Sequence, residues 1–241
     1  MSATEFLIRK LEERDVLSPE EKEVLESALS RPRTVKADED MVREGDRPTE
    51  SILILEGFAS RYKVLQSGRR QITAIHIPGD FVDLHGFLIK KMDHAVGTLT
   101  ACTIATIPHE KIRDISERYP HLTRLLWLST LVDSSIHREW LVAMGRRSAR
   151  EHMAHIVCEL FVRLELVGLT EGDTFQMPVT QAELGDTLGI STVHVNRVLQ
   201  ELRGEGLITW RGEKLTIHDF ERLKEVAEFD PTYLSLSHEP R

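Results

Sequence analysis

The sequence predicts an α+β chain in three parts: a domain of helices and short strands, one long helix, and a C-terminal helix-turn-helix carrying a β-hairpin wing. Three observations carry that reading. Between Thr34 and Ile107 the hydrophobic period shortens towards two, and turn signals break it roughly every 8–12 residues, as in sandwiches and barrels. Between His121 and Met144 there is neither glycine nor proline. From Val179 to Arg203 two short helical patterns meet at Gly189, and two apolar-rich runs follow them. The expected parts are residues 1–120, 121–145 and 146–230, with 231–241 as a mobile tail.

In chain order, residues 2–30 read as two helices. Phe6, Leu7 and Leu11 share one face. Ser18-Pro19-Glu20-Glu21 combines an N-cap, a proline at the first helical position and a capping-box glutamate. Strand-like runs follow around Val35, Met41-Val42, Ile52–Leu55, Ala59–Val64, Ile72–Ile77 and Val96–Ile107, punctuated by Gly45-Asp46, Gly57, Ser67-Gly68 and Pro78-Gly79-Asp80. Phe81–Met92 interrupts the series as a short helix or irregular loop. A helical period returns at His109–Arg118.

The long helix has Leu122, Leu125, Ser129, Val132 and Ile136 near 3.5-residue spacing, the seam of a coiled coil. Leu126, Leu131 and Trp140 make a second apolar surface. A helix apolar on two sides needs its own domain and something more, so the first set is the expected interface with a second copy. Ala149–Leu166 is a further amphipathic helix. Asp219 caps a last helix over Phe220–Phe229.

The stretch from Val179 to Arg203 carries the most specific signal. Thr180-Gln181-Ala182-Glu183 has capping-box spacing. Gly189 ends the first helix and Ser191 caps the second. Val195, Val198, Leu199 and Leu202 form the buried stripe of that second helix, and Thr192, Val193, Asn196 and Arg197 fall on its other side. Asparagine and arginine are suited to base edges, since one pairs with adenine and the other with guanine. Gly206–Trp210 and Leu215–His218 form the wing, whose tip offers Arg211 and Lys214 to phosphates.

Composition narrows the class. With 41% hydrophobic and 29% charged residues the chain is ordinary for a soluble protein. No apolar run approaches membrane-spanning length and the N-terminus lacks a signal-peptide core, so the expected location is the cytoplasm. Lys plus Arg, 31, against Asp plus Glu, 39, gives a net charge of −8. That opposes indiscriminate coating of nucleic acid but leaves local basic patches open. Cys102 and Cys158 are unclustered and read as buried free thiols. There is no Walker loop, dinucleotide fingerprint or nucleophile elbow, so no enzymatic activity is expected.

The motifs TQAELGDTLGISTVHVNRVLQEL with GLITW, and VREGD, LILEG and IPGDF in the first half, resemble the Crp/Fnr superfamily of bacterial transcription regulators. The run DFVDLHGFL with HREWLVAMGRR resembles an alphaproteobacterial branch of it. The resemblance covers nearly the whole chain. It implies a cyclic-nucleotide-binding-like β-roll sensor, a long dimerisation helix and a winged helix-turn-helix. It also implies homodimers on double-stranded DNA with a two-fold-related operator, and RNA polymerase as a partner. Base contacts would fall on Thr192, Val193, Asn196 and Arg197, and phosphate contacts on Thr180, Ser191 and His194, with Arg211 and Lys214 on the wing. An arginine and a glutamate commonly stand in the family at the places of Thr192 and Val193, so the operator should differ from the catabolite activator's. Another class of function, a β-roll that binds a small molecule and regulates a protein partner, is the alternative.

The sensor departs from its relatives. Cyclic-nucleotide-binding members use a Gly-Glu pair and an arginine, because a buried cyclic phosphate calls for a bidentate cation. Here Phe81–Val96 has no such pair, and no arginine occurs between Arg70 and Arg113. Cyclic AMP is therefore not expected, and neither is an iron–sulfur cluster, since the cysteine cluster of oxygen-sensing members is missing. His76, His85 and His94 remain. Asp83, His85 and His94 form the candidate effector pocket. His85 matches a haem histidine of the carbon-monoxide sensor and is a candidate haem or metal ligand, although Asp83 stands where that protein has a cysteine. Otherwise no metal site is expected.

Overall fold

The computed structural model describes residues 4–240. Residues 1–3 and 241 lie outside the described residues, and with them the beginning of the expected first helix. The chain forms two compact units. The first takes the residues up to Lys63, Ala74–Ser134 and the residues from Ser235 on, and the second takes Val64–Thr73 and Ser135–Leu234.

In chain order, α1 (Glu5–Glu12) and α2 (Pro19–Ala28) precede β1 (Arg33–Val35), β2 (Asp40–Val42), β3 (Glu50–Glu56), β4 (Ala59–Val64) and β5 (Arg70–His76), the last two running into residues 64–73. The short α3 (Gly86–Ile89), β6 (Ala95–Thr98), β7 (Cys102–Pro108) and α4 (His109–Arg118) follow. Ser18 caps α2 with the expected reciprocal capping box. The strands form two sheets, of order β1-β7-β3 and β2-β6-β4-β5. β3 is buried at five successive positions, Ser51–Leu55. Its two faces serve different cores. Ile52 and Ile54 pack with Val42, Ala59, Val96 and Ile104 of both sheets. Leu53 and Leu55 pack with Leu7, Leu11, Leu25, Ile112 and Ile115 of the helices. A strand covered on both sides reads as a continuous apolar run rather than an alternation, which is how Ile52–Leu55 appears in the sequence.

The long helix α5 spans Pro120–Arg146, 27 residues or ~40 Å at ~1.5 Å per residue. Within one chain, three of the five residues expected at the interface are already buried. Leu122 and Leu125 are fully buried in their own unit's core beside Leu126. Ile136 is buried as well, Ser129 donates to the Leu125 carbonyl, and Val132 is half-buried. Of the second set, Leu126 and Trp140 are buried and Leu131 is exposed. The apolar side chains of α5 left in solvent are Trp127, Leu131, Leu141, Val142 and Met144. Period alone marks apolar faces, and the sequence does not say which face its own core takes.

The second unit is built on α6 (Ala149–Leu166), with α7 (Gln181–Leu188), α8 (Thr192–Gly204) and α9 (Phe220–Ala227) beside it. β8 (Thr170–Glu171), β9 (Thr174–Gln176), β10 (Ile208–Arg211) and β11 (Lys214–Ile217) form a sheet of order β10-β11-β9-β8. The β8–β9 hairpin has no counterpart in the sequence reading. Residues 64–73 belong to this unit, and in it Arg70 Nε donates to Asp186 Oδ2 at 2.7 Å and Gln71 to the Thr187 carbonyl at 3.0 Å.

The mobile tail expected at 231–241 is corrected. Pro231–Leu234 forms a 3-10 turn, and Leu234 is 1% exposed. Tyr233 Oη donates to Glu159 Oε2 at 2.9 Å. Glu159 is fully buried and also accepts from Trp140 Nε1 at 3.0 Å and Arg163 Nη1 at 2.9 Å. Burial pushes the Glu159 carboxyl up, while Arg163, Tyr233 and Trp140 oppose that shift. A buried charge persists when it is paired and hydrogen-bonded, and the tail supplies one of those bonds.

Candidate nucleic-acid interface

α7 and α8 are held by local chemistry that the sequence displays. Thr180 Oγ accepts from the Glu183 amide at 3.2 Å, and Glu183 Oε2 accepts from the Thr180 amide at 2.7 Å. Gly189 takes φ 70°, the left-handed conformation that stops α7. Gly185 lets the two helices meet, because a Cβ there would lie 2.8 Å from the Ile190 carbonyl oxygen. Ser191 Oγ then accepts from the His194 amide at 3.3 Å and starts α8.

α8 is divided cleanly. Val195, Val198, Leu199 and Leu202 are at most 2% exposed. Thr192, Val193, Asn196, Arg197 and Gln200 are exposed. Residues 193, 196, 197 and 200 share one helical face. Two of these side chains are held by neighbours. Asn196 Nδ2 donates to Gln181 Oε1 at 3.3 Å. Arg197 Nη2 lies 2.9 Å from His194 Nε2, which must be the acceptor because a guanidinium offers only donors. Glu201 Oε1 stands 3.8 Å from Arg197 Nε. Gln181 was not among the sequence candidates. Its signal was its place at the first position of α7, opposite the recognition face.

The phosphate candidates lie at two helix starts and on the wing. Thr180 and Ser191 cap α7 and α8, so their hydroxyls sit at the positive ends of two helices. Arg211 and Lys214 pair across the wing turn at Gly212 and are both exposed. Lys214 Nζ is 3.8 Å from Glu171, so part of its charge is already answered within the unit.

In the first unit the expected effector trio divides. Asp83 is fully buried, with Oδ1 accepting from the Ile52 amide at 2.7 Å and Oδ2 without a partner. Burial pushes its carboxyl up to about 7. It lines a cavity of about 380 Å³ with Arg33, Val42, Arg47 and Glu50. His85 and His94 instead face each other, their ring centroids 5.2 Å apart. Both Nε2 atoms are buried without a partner, and His94 Nδ1 is 2.7 Å from Asp93. Burial, then His94 and Arg61, hold His85 down to about 4, and burial and Arg61 also lower His94.

Arg61 is the residue that sequence reasoning missed. It sits on β4, 3% exposed, and grips Asp133 of α5 through two bonds of 2.9 and 3.1 Å. Arg61 lies before the arginine-free stretch between Arg70 and Arg113, outside the segment that resembles the effector site. His76 is buried, with Nδ1 3.9 Å from Asp80. Among the described residues no group of three or more His, Cys, Asp or Glu side chains is placed to hold a metal ion. Cys102 and Cys158 are buried and free. No helix of the described residues is long and apolar enough to cross a membrane.

Comparison with known proteins agrees with both halves. A model of the cyclic nucleotide-binding domain matches residues 32–119, and one of the Crp-like helix-turn-helix domain matches 151–226. The chain is 29% identical over 203 residues to the transcriptional activator protein FnrL of Cereibacter sphaeroides, covering 82% of this chain and 81% of that one. It is 25% identical to the transcriptional activator protein anr of Pseudomonas aeruginosa, covering 84% and 83%. Its fold is similar to that of FixK2 from Bradyrhizobium japonicum, with a TM-score of 0.73 at 22% identity, over 81% of this chain and 96% of that one. The regulator CLP of Xanthomonas campestris gives 0.66 at 18% identity, over 84% and 100%. Two domain matches in one order, with transcriptional activators matched over about four-fifths of their length, place the protein in the Crp/Fnr superfamily of bacterial transcription regulators.

Proposed function

We propose that the protein is a homodimeric regulator that binds DNA sequence-specifically, its first unit modulating how the recognition helices dock. The observation that carries this is the division of α8, with an apolar stripe fully buried and Val193, Asn196 and Arg197 presented to solvent on one face. Thr192, Val193, Asn196 and Arg197 would meet base edges. Thr180, Ser191, His194, Arg211 and Lys214 would meet phosphates. The exposed Trp127, Leu131 and Leu141 of α5 are the surface for a second copy. Two half-sites would then lie about one helical turn, ~34 Å, apart. RNA polymerase is the further partner and the cytoplasm the location, both in keeping with relatives named as transcriptional activators.

The test is binding to a promoter library by the full chain and by Arg197→Ala. Wild type should enrich a two-fold-related sequence, and Arg197→Ala should lose ~1–3 kcal/mol on it if a guanine is contacted. Absence of any preference over competitor DNA in both proteins, or a dimer that binds a protein partner and no DNA, overturns the proposal.

A further inference from the structure

Val193 is 80% exposed, the most exposed large apolar side chain among the described residues. It is the second residue of α8, one after Thr192 and on the face of Asn196 and Arg197. The first turn of α8 holds no acidic residue. Nothing within its own unit covers it, and a β-branched side chain in a helix is nearly confined to one rotamer. It is therefore a stiff apolar knob in the middle of a polar reading surface. It can neither donate nor accept a hydrogen bond. The one apolar group that the floor of a major groove offers is the C5-methyl of thymine.

Resting on the DNA-binding reading above, we infer that Val193 is a specificity residue that reads the C5-methyl group of a pyrimidine in each half-site. The neighbouring side chains leave it that task. Asn196 spends one amide hydrogen on Gln181, which keeps the second hydrogen and the carbonyl oxygen for one adenine edge. Arg197 is steadied by His194 and projects 68% exposed for a guanine. Val193 then distinguishes thymine from cytosine without a polar contact. An acceptor such as glutamate at this place would select the cytosine amino group instead.

The experiment uses the full chain. An operator is first selected from a pool of random duplexes, and each thymine is then replaced singly by deoxyuridine, which removes only the methyl group. One symmetry-related thymine per half-site should be sensitive, with affinity falling about fourfold per methyl removed. Val193→Ala should bind the thymine operator that much more weakly and be indifferent to deoxyuridine there. 5-Methylcytosine at the same position should be bound better than cytosine by wild type alone. Selection of an operator with no uracil-sensitive thymine, or a uracil penalty unchanged in Val193→Ala, overturns the inference while leaving the DNA-binding reading intact. A pool that yields no enriched sequence overturns both.

Discussion

His152 gives the most quantitative handle on the unit that carries α8. It lies on α6, 3% exposed, with Nε2 buried and without a hydrogen-bond partner. Burial, and after it the charge of Arg147, holds the ring down to about 4. The unfolded chain accepts a proton near the ordinary value of ~6.5, the folded unit only near 4. Between those values the unfolded state binds more protons, so stability is lost as pH falls through that window. From pH 7 to pH 5 this ring alone should remove about 2 kcal/mol. Buried carboxyls such as Glu159 and Asp83, whose pKa values are raised, act with the opposite sign. The useful quantity is therefore the difference between wild type and His152→Leu. Urea unfolding followed by tryptophan fluorescence and circular dichroism at both pH values measures it. The variant should lose about 2 kcal/mol less than wild type on acidification. Equal losses, within ~0.5 kcal/mol, would refute the claim that this ring is buried neutral.

Further expectations follow from single contacts. Gly185→Ala puts a Cβ 2.8 Å from the Ile190 carbonyl oxygen, so it should cost ~1–3 kcal/mol in urea unfolding and weaken operator binding in parallel. Trp127→Glu with Leu131→Glu should yield monomers in sedimentation at little cost in folding, whereas Leu122→Ala, in the core, should cost ~2–5 kcal/mol and leave association of the folded chains unchanged. For Asp83→Asn the sign is reversed relative to histidine. The native carboxyl keeps its proton up to about 7, so wild-type stability falls as pH rises through ~4–7, and the gain from asparagine should be about 2–3 kcal/mol larger at pH 8 than at pH 5.

What the sequence displays, and what it hides, divides by the range of the interaction. The caps at Ser18, Thr180, Ser191 and Asp219 all form as their spacing predicts, because each involves residues three apart. The stripe of α8 is equally legible, since its four buried residues repeat with the helix. Hidden features are joined across long stretches of chain. Arg61 meets Asp133 across 72 residues, and Tyr233 meets Glu159 across 74. No local pattern announces either pair. β8 and β9 are two and three residues long, too short to show a period.

The seam expected on α5 was hard to place for a different reason, and that reason bears on function. Leu122, Leu125 and Ile136 and the exposed Trp127, Leu131 and Leu141 are two stripes of similar spacing on one helix. Periodicity gives both and ranks neither. Burial ranks them: the core with Leu53, Ile112 and Ile115 takes Leu122 and Leu125, and Ile136 is buried in the second unit. What is left is an exposed stripe with Ser134 and Arg138 between its apolar ends. Large exposed apolar side chains in a row are the mark of an interaction surface. The same argument applies at smaller scale to Val193. Val193, at 80% exposure on a face otherwise polar, buries little against its own fold. In both places the proposal rests on an apolar residue that the core leaves out: a second helix is proposed for one and a methylated base for the other.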